Sequence, residues 1–259
     1  IRYSGICWHS SLFASKANKV HKMTTSTVKE LLARSVIYRL LSLGFLYPTS
    51  DLVATIRDEA GKTDKDAGMY GRWATRLTKV FEEEVDQISI SGLESAYARL
   101  FEASVQTPCP PYESQYGSIN TFGMSRQLAD VAGFYRAFGL KLSNTNKEMP
   151  DHISAEMEFM HILTLKEAHA TMEGWTDKIS ITRDAQKKFL LDHLGRWASA
   201  ICMSIQKSAD AEFYRELAKI TNSHIENEVN LLKIKPKKVR KRVEEETPAE
   251  DIGCPEETD

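Results

Sequence analysis

The chain has 259 residues and a mass of 29.3 kDa, with 42% hydrophobic and 27% charged residues. These are ordinary globular proportions, so a sizeable core is available and wholesale disorder is excluded. A formal net charge of −2 and a pI near 6.4 weigh against a nucleic-acid surface spread over the whole protein, and no apolar run approaches the roughly 18 residues of a membrane span.

Residues 1–22 carry Arg2, Lys16, Lys19 and Lys22 and no acid. Met23 stands just before Thr24-Thr25-Ser26, a good helix cap, so residues 1–22 read as an upstream extension, with a targeting peptide as the rival reading. From Ser26 to Tyr47 apolar residues recur at helical spacing (Val28, Leu31, Leu32, Val36, Leu40, Leu43), and Pro48 ends the run. A short helix is predicted over 51–60, a polar loop over 61–66 and a third helix over 68–88. Ser91 caps a fourth, to about Val105. Thr107-Pro108-Cys109-Pro110-Pro111 cannot continue a helix and is the clearest break in the chain. Helices are then predicted over 125–138, closed by Gly139, and from Pro150 to Met172, ended by Gly174. Two more fit 182–206 and 209–232. The expected architecture is all-α: a single globular helical domain over 23–232, of about eight to ten helices.

Beyond 232 the composition changes. Residues 233–242 hold seven basic residues, and 244–259 hold eight acids and no aromatic. Such paired charge blocks read as a solvated, disordered tail, with an arm for RNA or an acidic partner as the alternative. The four cysteines, Cys7, Cys109, Cys202 and Cys254, form no CxxC pair, which removes zinc-ribbon and thioredoxin readings. They read as reduced thiols in the cytoplasm, Cys109 as a buried structural one.

Three constellations invite a chemical reading. Tyr97, Leu100 and Phe101 fall at i, i+3 and i+4 and share a helix face; by itself that is a core stripe. In Cys109-Pro110-Pro111-Tyr112-Glu113-Ser114-Gln115-Tyr116, two prolines stiffen a turn that presents Tyr112 and Tyr116. In Glu148-Met149-Pro150-Asp151-His152, a helix starting at Pro150 puts Asp151 in its first turn, where the helix dipole favours an acid. His152 and Glu156 follow at i, i+4. Glu158-x-x-His161 matches half of a carboxylate di-iron site, but the second half is absent. Phosphate loops, GxSxG and HExxH are absent as well, so the catalytic case is poor.

Taken in order, YARLF, CPPYESQY, LADVAGFYRAFGL and EMPDHISAEMEFM resemble the TorD/DmsD/NarJ family of redox-enzyme maturation chaperones, over roughly Val28 to Lys207. The CPPYES form is similar to the branch serving molybdenum enzymes of the dimethyl-sulfoxide-reductase superfamily. The resemblance implies a TorD-like all-helical fold and a cytoplasmic chaperone without catalysis or a cofactor of its own. It implies a partner: the apo catalytic subunit of a molybdenum oxidoreductase, often held by its N-terminal twin-arginine leader until the cofactor is inserted. It implies no nucleic acid, no stable membrane insertion, and a monomer or domain-swapped dimer. The residues it points to for leader binding are Tyr97, Leu100, Phe101, Glu148, Pro150, Asp151 and His152; Tyr112, Glu113, Tyr116 and Glu156 join them as candidates by their own chemistry. Met149 stands where the family pattern has proline. Asp151, Glu113 and Glu156 are the acids expected to pair with guanidinium groups. The enzyme-class alternative is a small helical metalloenzyme using His152, Glu156, Glu158 and His161.

Overall fold

The computed structural model describes residues 20–61, 68–102, 107–117, 121–140 and 149–241, with the side chains of 20–26, 60, 121 and 122 left aside. Among the described residues there are eight α-helices and no strand beyond two isolated bridges. They are α1 (Val20–Gly44), α2 (Ser50–Gly61), α3 (Gly68–Tyr97), α4 (Thr121–Ala137), α5 (Ile153–Glu173), α6 (Thr176–Asp192), α7 (Leu194–Ser208) and α8 (Glu212–Leu231).

Helix α5 is the axis of the molecule. Ile153, Met157, Phe159, Met160 and Leu163 have no exposed surface, and Ala155, Ile162, Ala168 and Ala170 are buried too. A helix apolar on nearly every face belongs in an interior rather than at a surface. Its start is set by His152, whose Nδ1 accepts from the Ser154 amide at 3.1 Å, and its end by Gly174 in the left-handed conformation. Helix α1 lies against it antiparallel. Ser42 donates to the Ser154 carbonyl (2.9 Å), Arg39 pairs with Glu158 (2.9 Å), and the Ser35 hydroxyl is 2.8 Å from His161 Nδ1. Helices α6 to α8 and the end of α3 close the remaining sides of the core.

Three boundaries differ from the sequence reading. The helix predicted over 182–206 is two helices, broken at His193 (φ −126°, ψ −108°). Helix α5 starts at Ile153, not at Pro150, so Asp151 precedes the helix instead of sitting in its first turn. The third and fourth predicted helices run on as α3, interrupted at Ser89 (φ 63°), and the segment ends in a π-helical turn, Ala98–Glu102. Residues 233–241, placed by composition in a solvated tail, turn at Lys233 (φ 54°) and then run along the body. Val239 donates to the Arg196 carbonyl (3.1 Å), Gly117 to the Arg240 carbonyl (2.8 Å), and Lys241 bridges to Tyr116. The acidic run 244–259, residues 1–19 and Glu148 lie outside the described residues.

Candidate functional site

The two motif segments, some forty residues apart in sequence, are one structural unit. Glu113 donates its amide to the Asp151 carbonyl (3.0 Å), and Ile153 donates to the Pro111 carbonyl (2.8 Å). Tyr112 and His152 form an antiparallel bridge with their rings 5.1 Å apart. Pro110 and Pro111 have no amide hydrogen to satisfy, so this stretch serves as an acceptor edge without leaving donors unpaired. A 3-10 turn, Glu113–Gln115, then directs the Ser114 amide onto Asp151 Oδ2 (2.9 Å).

The acids of these segments point inward. Asp151 and Glu156 have no exposed surface and Glu113 is 2% exposed. Glu113 Oε2 is 3.0 Å from His193 Nδ1, and His193 Nε2 is 3.2 Å from the exposed Asp130. Trp197 Nε1 donates to Glu156 Oε2 at 3.1 Å. Burial, joined by the neighbouring Glu113 carboxylate, pushes Glu156 well above the usual carboxylate range. Burial raises Asp151 as well, against the lowering effect of its Ser114 bonds. The Arg-clamp role expected for Asp151, Glu113 and Glu156 is therefore not open to them in this conformation. They knot α5 and α7 to the motif segments. His193 and Trp197, which the sequence reading did not single out, complete the knot. Their i, i+4 spacing was the available signal.

The remaining expected site residues are placed similarly. Tyr97, Leu100 and Phe101 are core residues, 3–5% exposed, and the Tyr97 and Phe101 rings pack on Tyr214. Tyr116 is buried on Trp197, ring centroids 5.0 Å apart, and donates to the Pro110 carbonyl (3.0 Å). Tyr112 and Pro150 are half-buried, and the Pro150 carbonyl accepts from the Tyr135 hydroxyl (2.8 Å). The metalloenzyme alternative fails on geometry. His152 is turned to Ser154, Glu156 to Trp197, Glu158 to Arg39 and His161 to Ser35. Among the described residues no three His, Cys, Asp or Glu side chains gather to hold a metal.

A glutamine at 156 keeps the acceptor for Trp197 and removes the proton. Raised above its unfolded value, the Glu156 pKa makes the wild-type fold lose stability as pH climbs from about 4.5 towards that folded value. Glu156→Gln is expected to cost less than about 1 kcal/mol at pH 7 and to gain on wild type as pH rises through this interval. Urea unfolding at several pH values reads this; a gap independent of pH would contradict it.

Two open features flank the knot. One is an apolar groove of about 600 Å³ between α5 and α6, lined by Phe138, Ile162, Leu165, Trp175 and Ile181 with Lys166 and Lys178 on its rim. Leu165, Trp175 and Ile181 are 41%, 43% and 60% exposed, and Lys178 Nζ sits 4.3 Å over the Trp175 ring. Large exposed apolar side chains grouped in a groove mark a surface for a partner. The other is a polar cleft of about 830 Å³ that includes Arg126, Asp130, His193, Arg196, Lys235 and Lys237.

Among the described residues the body is all-helical, with a buried polar knot and an open apolar groove. The chain belongs to the nitrate reductase delta subunit family, whose model matches residues 63–203. It is 26% identical over 208 residues to the perchlorate reductase assembly chaperone protein of Dechloromonas aromatica (strain RCB), covering 77% of this chain and 89% of that one. It is 30% identical over 135 residues to the selenate reductase assembly chaperone protein of Thauera selenatis (51% and 68%). It is 33% identical over 106 residues to the chlorate reductase assembly chaperone protein of Ideonella dechloratans (40% and 53%). A crystal structure from Archaeoglobus fulgidus, of a chain named as a redox enzyme maturation protein, aligns with a TM-score of 0.44 at 23% identity, over 84% of this chain and 99% of that one. The three sequence relatives are each named as the assembly chaperone protein of a reductase.

Proposed function

We propose that this protein is a dedicated cytoplasmic chaperone that binds the cofactor-free catalytic subunit of a molybdenum oxidoreductase, including its N-terminal twin-arginine leader, and holds it until the cofactor is inserted. The observation that carries this reading is the match to the perchlorate reductase assembly chaperone over 89% of that protein's length. The groove between α5 and α6 supports it, because an unfinished subunit offers apolar segments that a solvated surface would not hold. The buried motif residues serve indirectly: Glu113, Asp151, His152 and Glu156 hold the frame, and Tyr97, Leu100 and Phe101 fill the core beneath it. Among the described residues no helix is long and apolar enough to cross a membrane.

Affinity capture of the tagged full chain, from a host grown so that it makes molybdoenzymes, tests the reading. Recovery of one molybdopterin-enzyme catalytic subunit without its cofactor is the expected result; recovery of no such subunit overturns it. Ile181→Asp and Leu165→Asp place charges in the groove at exposed positions, where substitutions disturb the fold little. Each is expected to lower capture at least about ten-fold, equivalent to about 1.4 kcal/mol of lost contact. Undiminished capture by both would remove the groove from the reading.

A further inference from the structure

The segment after α8 is a basic strip with a defined seat. Lys238 Nζ donates to Ser199 Oγ (3.0 Å), and Val239 packs against the core. Lys241 Nζ donates to the carbonyls of Thr107 (2.7 Å) and Pro108 (3.2 Å). Backbone bonds join Val239 to Arg196 and Arg240 to Gly117, and Lys241 pairs with Tyr116. Pro236 closes over Gly195, where a β-carbon would lie 2.9 Å from its Cγ and would also meet the Leu190 carbonyl, and Gly117 (φ +83°) faces Val239 at ordinary contact distance, 3.5 Å from where a β-carbon would stand. The strip therefore covers the end of the Cys109–Gly117 segment, and two of its cations, Lys238 and Lys241, rest on neutral oxygen acceptors.

We infer that the track formed by Thr107–Pro108, Tyr116–Gly117, Arg196 and Ser199 is a receptor for an extended basic segment, and that the chain's own residues 235–241 occupy it as a displaceable stand-in. The track selects backbone pairing along one edge, an apolar residue where Val239 sits, and cations on either side of it. Nothing in the seat requires covalent continuity with α8. The strip is held by two backbone bonds, a bond from Arg196 Nε to the Lys237 carbonyl (3.4 Å), two lysine side chains and one isopropyl group, a small attachment that a matching segment in trans can replace. That the natural competitor is the leader of the client, with its paired arginines and apolar residues, rests on the function proposed above. The exchange itself does not.

The probe is a fluorescein-labelled peptide with the sequence of residues 235–241, measured by anisotropy on the full chain. Val239→Pro removes the N–H that bonds Arg196 and the side chain that packs on the core. Gly117→Cys with Val239→Cys locks the strip, since the β-carbons would lie 3.7 Å apart, within the range a disulfide spans. Any strain at position 117 is shared by the reduced and oxidised forms, so their comparison isolates the lock. Val239→Pro is expected to bind the probe at least about ten-fold more tightly than wild type. The oxidised lock is expected to lose binding and reduction to restore it. Equal affinity in the reduced and oxidised forms overturns the inference, as does equal binding of a peptide of the same composition in scrambled order. If Val239→Pro does not fold, the redox pair decides alone. Client capture by wild type tests the chaperone reading separately, so failure of one is distinguishable from failure of the other.

Discussion

Alanine at position 34 is expected to cost the fold about 3–5 kcal/mol, the usual penalty for removing one partner of a buried ion pair. Arg34 leaves α1 and reaches Glu228 on α8 through two bonds, Nε at 2.8 Å and Nη2 at 2.6 Å. Nη2 also donates to Gln186 on α6 (3.0 Å), and Gln186 donates in turn to Glu167 on α5 (2.7 Å). The Tyr38 hydroxyl adds a longer bond to Glu228 (3.3 Å). One guanidinium thus ties four helices together, and its removal leaves the Glu228 carboxylate buried with no cation. A loss of this size is a large part of the roughly 5–15 kcal/mol that holds most domains folded. The double variant Arg34→Met with Glu228→Met removes both charges and is expected to recover most of the loss. Urea unfolding followed by circular dichroism measures both. A cost below about 1 kcal/mol for Arg34→Ala, in the range of exposed pairs, would show that the network contributes little.

Phenylalanine at position 224 is expected to remove an acid-sensitive weakness. His224 has no exposed surface, and it packs edge-on against the rings of Tyr38, Tyr70 and Trp73, with centroids 4.3, 6.1 and 5.8 Å away. Neither ring nitrogen has a hydrogen-bond partner among the described residues. Burial pushes its pKa down to about 4, the nearby Glu228 opposing and Arg34 assisting. The unfolded chain binds this proton near pH 6.5, while the fold does not until about 4, so wild-type stability falls as pH drops through that window. The loss reaches about 3 kcal/mol at its lower end. His224→Phe keeps the aromatic packing and has no proton to bind. Its stability relative to wild type is expected to rise by up to that amount between pH 6.5 and 4. His161, which burial also pushes down to about 4, is present in both proteins and cancels. Parallel pH profiles for the two proteins would refute the assignment.

The same burial explains why the candidate site was only half legible in the sequence. The segments around Tyr112 and Asp151 stand out by composition, because two prolines and a run of acids beside an apolar helix are unusual. The reading of those acids as surface partners for arginine needed them to face outward. What turns them inward is the pairing of Pro111 with Ile153 and of Glu113 with Asp151, a contact between segments that no local periodicity records. His193 and Trp197 were passed over for a related reason. Their spacing is ordinary for a helix, and their role follows from the carboxylates that reach them from elsewhere in the chain.

Helix content, the break at the proline run and the glycine ends at 139 and 174 followed from the sequence alone, because backbone propensity and hydrophobic period act within a few residues. The resemblance to maturation chaperones was legible for the same reason: it rests on short segments in a fixed order. Only the tertiary structure decided the split between α6 and α7. Asp192-His193-Leu194 holds neither proline nor glycine; Gly195, where a β-carbon would collide with the Leu190 carbonyl, permits the turn, and the break comes where His193 is shared between Glu113 and Asp130. It alone also decided that residues 233–241 lie against the body. Their charge density argues for solvent, yet Val239, the backbone edge at Tyr116–Gly117 and the close approach of Pro236 to Gly195 give them a seat. Local sequence sets what a segment tends to be; burial of its polar groups against distant partners sets where it ends and which way it faces.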